Sequence, residues 1–258
     1  LKIKLPIFEH YNFDTITSTN DYARELLNRD KVAIVSANYQ TEGRGRNTNT
    51  WYGSYGNNVY LSIAIKHIDE FDSDHLPVFQ ALSSVIVINA LQRLFPKQKF
   101  ALKYPNDVYA FVPTPKQNDA INPNYRKISG VLVEHSFMGS ICTSTIIGIG
   151  INVSEQKFPP EIADNSTSLA LLGYDANISE IINAIISELY YLADYKDSLE
   201  IFDLWKFSLN LNKKQIQVVG DELNYTFSRI LDDGRLELIR NKQRIIIDNG
   251  DSVRYNLG

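Results

Sequence analysis

The segment Gln40-Thr-Glu-Gly-Arg-Gly-Arg-Asn-Thr-Asn-Thr-Trp51 gathers Gly43, Arg44, Gly45 and Arg46 with almost nothing apolar before Trp51. Glycine lets a backbone approach a ligand and present its N–H groups. Arginine adds a fixed positive charge whose planar fork matches a carboxylate or a phosphate. Between two strand-like runs, 32–39 and 58–66, this loop has the chemistry to hold an anion. The plain alternative is a solvated hairpin loop. No Gly-Lys-Ser/Thr follows, which excludes a Walker loop, and Asn47 and Thr48 stand where a dinucleotide fingerprint needs its third glycine.

Four further segments carry the same kind of chemistry. Thr17-Ser-Thr-Asn20 sets small hydrogen-bonding side chains at the start of a helix, suited to polar ligand atoms or to plain N-capping. Lys103-Tyr-Pro-Asn-Asp107 places a lysine at a strand end, then an amide (Asn106) and a carboxylate before another strand; by itself Pro-Asn-Asp also reads as a turn. Lys127-Ile-Ser-Gly-Val-Leu-Val-Glu134 puts a lysine and Gly130 at the mouth of an apolar strand. Gly148-Ile-Gly-Ile-Asn-Val153 interrupts a buried strand with two glycines and an amide, and glycine weakens a strand unless something packs closely on its backbone. Cation, amide and glycine recurring at strand ends point to one site built across one sheet.

The elements that must position these residues follow from periodicity. Residues 18–29 read as a short helix, with Ser18 and Asp21 fitting a capping box and Tyr22, Ala23, Leu26 and Leu27 on one face. Residues 76–95 are apolar nearly throughout and fit a buried helix with Pro77 in its first turn. Strands are expected at 99–103, 107–112, 128–137 and 143–152, and a helical segment at 178–207. The proline- and asparagine-rich stretch 113–126 reads as an exposed, mobile hairpin extension. After 208–213 come four short alternating runs with tight turns, including Asp-Asp-Gly at 232–234 and Asp-Asn-Gly at 248–250, which imply a compact barrel. The expected division is 1–208 and 209–258.

Composition narrows the function classes. The 258 residues are 44% hydrophobic and 22% charged with a net charge of −4, so no general attraction to nucleic acid or anionic membrane is expected. A single cysteine, Cys142, excludes internal disulfides and reads as a buried, inert thiol. The four histidines lack HxxxH or HExxH spacing, which argues against zinc. No run of 18 uncharged apolar residues and no signal-peptide pattern is present, so the expected compartment is the cytoplasm.

Taken together, Ser-Thr-Asn at 18–20, Gln-x-x-Gly-Arg-Gly-Arg at 40–46 with Trp51, Lys-x-Pro-Asn-Asp at 103–107, the Lys127–Glu134 run and Gly-Ile-Gly-Ile-Asn at 148–152 resemble the biotin protein ligase family, in that family's order, over roughly residues 10–205. The small β unit beyond is similar to the family's SH3-like C-terminal domain. The resemblance implies an α+β fold, a class II synthetase-like mixed sheet backed by helices (the biotin/lipoate ligase fold) with a small C-terminal SH3-like β-barrel. It implies an enzyme that makes biotinyl-5′-AMP from biotin and ATP with Mg²⁺ and transfers biotin to one lysine of a biotin carboxyl carrier protein, as a monomer or homodimer.

By that resemblance Arg44, Arg46, Lys103, Asp107 and Lys127 are the catalytic candidates. Two anions must meet, and cations offset their repulsion. Ser18, Thr19, Gln40 and backbone near Arg44 are expected to meet the uncharged ureido ring, with Asn20, Gly43 and Gly45 also among the substrate-binding candidates. The strand carrying Gly130 and Leu132 and the one carrying Gly150 are expected to line the apolar tail, with Asn106, Asp107 and Asn152 completing a polar wall near the reacting phosphate or its metal. Trp51 stacks on the adenine or anchors the loop's return. The chain departs from some members by Asn-Thr-Asn-Thr at 47–50 in place of a Gly-Arg pair, by Tyr104 for tryptophan, and by a longer 113–126 stretch. Nothing before Ser18 is long enough for the winged helix of the repressor members, so a DNA-binding role is not expected. A lipoate or octanoate ligase of the same superfamily and a non-catalytic biotin-binding module are the alternatives.

Overall fold

A computed structural model describes residues 9–258 apart from 30, 47–48, 72–75, 117–118 and 222, together with the backbone but not the side chains of 68–71 and 194–195. Seven strands form the main sheet: β1 (Glu9–Ile16), β2 (Val32–Gln40), β3 (Asn58–Phe71), β4 (Phe100–Lys103), β5 (Asp107–Phe111), β6 (Tyr125–Met138) and β7 (Ile141–Asn152). Their order is β1-β2-β3-β7-β6-β5-β4. Only β1 and β2 run parallel, so the sheet is mixed, as expected.

Side-chain alternation along these strands creates two faces. Val32 and Ile34 of β2, Val59, Leu61 and Ile63 of β3, and Ile147, Ile149 and Ile151 of β7 point into the larger core. That core is closed by α2 (Pro77–Leu94), α4 (Ile178–Tyr195) and α5 (Ser198–Leu209), a fourth short helix, α3 (Pro160–Ala163), lying at 160–163 in the loop after β7. α2 is buried along almost its whole length, as a helix apolar on all sides must be. On the opposite face, α1 (Thr19–Leu26) packs Ala23 and Leu26 on Ala33, Val35, Ala64 and Ile146. The rest of that face is left for the site.

The structure departs from the sequence reading at three places. The segment 178–207 is two helices, because Asp197 caps α5 in a full capping box with Glu200 and breaks the run after Tyr195. Ser18 is the N-cap of α1 by position, yet its side chain makes no capping bond and Asp21 closes no box. Asp-Asn-Gly at 248–250 makes no hairpin turn but opens a 3-10 turn, Gly250–Ser252.

That 3-10 turn belongs to a second, antiparallel sheet of β8 (Gln215–Val218), β9 (Asn224–Ile230), β10 (Leu236–Arg240), β11 (Gln243–Ile247) and β12 (Val253–Arg254), ordered β11-β10-β9-β8-β12. The expected barrel would need a further pairing between the two ends of this order. The β10–β11 hairpin turns on Asn241 and Lys242, both at positive φ, the pair of conformations that matches strand twist in a two-residue loop. The 113–126 stretch, of which 117–118 lie outside the described residues, is anchored at Asn122. This residue is buried, donates to Tyr255 O at 2.7 Å and accepts from Leu257 N–H at 2.8 Å. Among the described residues no helix is long and apolar enough to cross a membrane. Cys142 is buried, and burial pushes its thiol pKa up, in line with an inert core thiol.

His67 and His135 both lie 2.9 Å from the hydroxyl of Thr145, beneath Phe79. Burial, helped by the neighbouring His135, pushes the His67 pKa from 6.5 down to about 4. Between those values the unfolded chain binds more protons than the folded one, so stability is complete above pH 6.5 and falls as pH drops toward 4. In His67→Gln the fall in melting temperature over that window is expected to shrink; an unchanged slope would contradict this account.

Candidate functional site

Three glycines make the floor of the cleft. Gly130 of β6 and Gly150 of β7 are direct partners in the ladder, and Gly148 pairs with Leu132 two residues along the same face. All four line one cavity. A Cβ on Gly150 would fall within 2.7 Å of the Trp51 indole, and one on Gly130 would meet the same ring at 3.0 Å. A Cβ on Gly148 would strike the Asn20 amide. The glycines therefore answer to close approach, of an indole at one end and a polar side chain at the other.

The polar end is held by neutral groups. Thr19 donates to Gln40 Oε1 from its N–H at 2.7 Å and its hydroxyl at 3.0 Å. The Ser62 hydroxyl stands 2.7 Å from Thr19 Oγ1 and 2.6 Å from Asn20 Oδ1, fixing both from below. Ser18, free of capping duty, is buried at the cavity wall. Asn20 donates to Glu134 at 2.7 Å, and Glu134 also accepts from Arg24 at 3.2 Å.

The cations are all on or near the cleft, and most are already paired. Arg44 makes a two-pronged bond to Asp21 at 2.6 and 2.7 Å, which holds that carboxyl below its usual pKa, and lies 3.6 Å from Glu134. Arg46 meets Asp251 at 2.9 Å. Lys127 pairs with Asp107 at 2.8 Å and sits 5.7 Å from the centre of the Trp51 ring. Lys103 is the ladder partner of Asp107, and burial lowers its pKa despite that carboxylate. Its amine lies 5.9 Å from the Tyr109 ring centre.

The glycine–arginine loop folds back on itself. Gly45 N–H donates to Asn49 O at 2.8 Å and Trp51 N–H to Gly43 O at 2.9 Å, on either side of Asn47 and Thr48, which lie outside the described residues. This return lays the indole on the glycine floor. Trp51 Nε1 is buried and meets no acceptor among the described residues.

Of the residues singled out from sequence, Ser18, Thr19, Asn20, Gln40, Arg44, Gly45, Arg46, Trp51, Asn106, Asp107, Lys127, Gly130, Leu132 and Gly150 line this one cavity. Gly43, Lys103 and Asn152 do not. Gly43 receives the Trp51 hydrogen bond, Lys103 lies behind Asp107, and Asn152 donates to Thr167 O at 3.0 Å from a buried position. Sequence reasoning missed Asn49 and Asp251 in the wall and Ser62 beneath it. Ser62 had one available signal, a small polar residue inside an apolar strand; Asp251 had none. No group of three or more metal-ligating His, Cys, Asp or Glu side chains occurs among the described residues.

A family model of the biotin/lipoate A/B protein ligase family matches residues 12–152, and the chain belongs to that family. The bifunctional ligase/repressor BirA of Bacillus spizizenii is 32% identical over 161 residues, which cover 61% of this chain and 45% of that protein. The chain thus spans less than half the length of that relative. The biotin–[acetyl-CoA-carboxylase] ligase of Mycobacterium tuberculosis is 24% identical, over 93% of this chain and 88% of its own length. The biotin protein ligase from Aquifex aeolicus, solved in complex with biotin and ATP, superposes with a TM-score of 0.69 at 24% identity, over 96% of this chain and 99% of that one. That likeness fixes the fold, including the mixed sheet backed by helices.

The contact between Trp51 and the glycine floor can be tested directly. Gly150→Ala is expected to lift the indole, so that acrylamide quenches Trp51 more strongly while buried Trp205 is unaffected, and to lower stability by about 1–3 kcal/mol, the usual range for overpacking. Unchanged quenching in a folded variant would show that Trp51 does not rest on Gly150.

Proposed function

We propose that this chain activates biotin with ATP as biotinyl-5′-AMP and then passes the biotinyl group to a lysine of a biotin carboxyl carrier protein. The observation that carries the reading is the make-up of the cleft: the neutral hydrogen-bonding groups of Ser18, Thr19, Asn20 and Gln40, the cations Arg44, Arg46 and Lys127, and the glycine floor all line one cavity. A uracil-like or ureido ring needs uncharged donors and acceptors, which Ser18, Thr19, Asn20 and Gln40 offer. The Trp51 indole already covers Gly130 and Gly150, so an apolar chain would run along the other side of that ring and past Leu132. Its carboxylate then ends near Lys127 and Arg46.

In the first step a carboxylate oxygen attacks the α-phosphorus and pyrophosphate leaves. In the second, a lysine amine attacks the acyl carbon, loses its proton, and AMP leaves. Lys127 and Arg46 lower the repulsion between the two anions as charge builds on the α-phosphate. Asp107 sets where the Lys127 amine stands, through their 2.8 Å pair. Mg²⁺ carried on the phosphates would supply further neutralisation, and the oxygens of Asn106 and Asp107 are the ones in this wall suited to face it. The unit at 209–258 is proposed to act on nucleotide binding, since its Asp251 lines the same cavity and pairs with Arg46.

A lipoate or octanoate ligase is the second reading, because the family model spans both branches. Four neutral hydrogen-bonding side chains in the cavity wall favour a substrate with a polar head over an octanoyl chain. ATP–pyrophosphate exchange with biotin, lipoate and octanoate side by side is the deciding experiment. Exchange with biotin alone supports the proposal, and exchange only with the other acids overturns it.

Lys127 offers a sharper measurement. Lys127→Ala is expected to slow single-turnover adenylation by about 10²-fold or more, the loss typical of one charge-stabilising donor, and Lys127→Gln to recover little of it. Parental rates in both variants, with parental melting, would remove Lys127 from the reacting centre.

A further inference from the structure

Arg46 belongs to the loop on the large sheet, yet its partners come from the far end of the chain. Asp251 Oδ2 lies 2.9 Å from its Nη2, and Asn249 Oδ1 accepts from the same nitrogen at 3.2 Å. On the other side Asn106 Oδ1 is 3.4 Å from Nη1. The 3-10 turn carrying Asp251 reaches this spot because it is seated on Tyr104-Pro105. A Cβ at Gly250 would collide with Pro105 Cδ and Tyr104 O, so only glycine permits the approach. Tyr104 N–H donates to the buried Tyr255 hydroxyl at 2.7 Å, and Asn249 Oδ1 accepts from Asp251 N–H at 3.0 Å. The carboxylate is thus aimed from a braced turn into the cavity wall, beside a cation that the nucleotide reading needs for phosphate.

The fold itself draws little from this pair. The Asp251 side chain is 53% exposed and that of Arg46 25%, and ion pairs so screened add little to stability. We propose that Asp251 is a stand-in anion: it holds Arg46 at the cleft before substrate arrives and yields it to a phosphate when the nucleotide enters. Asp251 is then a positioning residue, through which the C-terminal unit sets nucleotide affinity and holds the glycine–arginine loop in its ligand-free arrangement. The proposal rests on the nucleotide-binding part of the function proposed above. It goes further by assigning the affinity to one carboxylate outside the glycine–arginine and lysine motifs of the large sheet.

Two measurements on Asp251→Asn test it. Calorimetric titration with Mg-ATP is expected to show about two- to fivefold tighter binding, because Arg46 no longer has to leave a carboxylate. In an Arg46→Ala background the same change is expected to have no effect; equal tightening with and without Arg46 would mean a general field effect and overturn the proposal. Hydrogen exchange of 43–46 and 49–51 in the ligand-free protein is expected to quicken several-fold in Asp251→Asn, and unchanged exchange would overturn the holding role. If the parent protein took up no Mg-ATP, the functional reading would fall separately. Inorganic pyrophosphate would then serve as the probe, and indifference of its binding to Asp251 would overturn the proposal as well.

Discussion

The site depends on one constraint, that Gly130 and Gly150 face each other across β6 and β7 with no side chains of their own on the cleft face. The pairing is antiparallel, so the absent side chains coincide on one face and their ladder neighbours Val131, Ile149 and Ile151 all point into the core. A strand pair with two glycines loses packing and gains backbone freedom in the unfolded chain, which would weaken an ordinary sheet. Here the lost contact is recovered by Trp51, whose ring lies on the exposed backbone and draws the loop after it. The return of the loop and the covering of the cavity floor meet in that one contact.

Charge balance is the second organising fact. Arg44 faces Asp21 and Glu134, Arg46 faces Asp251, and Lys127 faces Asp107. A cleft with three bare cations would repel itself and capture any passing anion. Pairing each one with a carboxylate across the cleft keeps the groups in position before a ligand arrives. It also makes entry an exchange of partners, in which a phosphate must offer more than the carboxylate it replaces. Arg44, held by a two-pronged bond with a carboxyl below its usual pKa, exchanges less readily than Arg46, held by a half-exposed aspartate.

Much of this was legible in the sequence because each feature breaks a local rule. Glycine at 130, 148 and 150 conflicts with strand propensity, and arginine beside glycine at 43–46 conflicts with an ordinary hairpin; such conflicts mark functional places. The strands and α2 were readable because their apolar residues keep period two or fill all sides of a helix. The break between α4 and α5 is written in the capping pair Asp197 and Glu200, but the apolar periodicity of the isoleucine-rich face runs up to it without interruption. The roles of Ser18 and Asp21 were misjudged at the helix start, since a capping pattern specifies a possible bond and tertiary partners decide whether it forms. Asp251 and Asn49 could not be read at all, because their closeness to the cleft arises from docking of one unit on another and from the path of a loop.

That docking explains why Lys103-Tyr-Pro-Asn-Asp107 has the composition it does. Seen alone it is a turn. In the fold its Tyr104 hydroxyl donates to Gly234 O at 3.1 Å, its Tyr104 N–H to Tyr255, and Pro105 O accepts from Trp205 Nε1 at 3.1 Å. The bend is thereby tied to α5 and to the second sheet at once, while Asn106 and Asp107 on its far side face Arg46 and Lys127. A segment that short can hold two polar side chains in register with a cleft only if its backbone is fixed from behind, and here the fixing groups come from residues 205–255. The second sheet is therefore joined to the chemistry of the cleft through backbone support at Tyr104-Pro105 and through the Asp251 carboxylate that the same contact delivers.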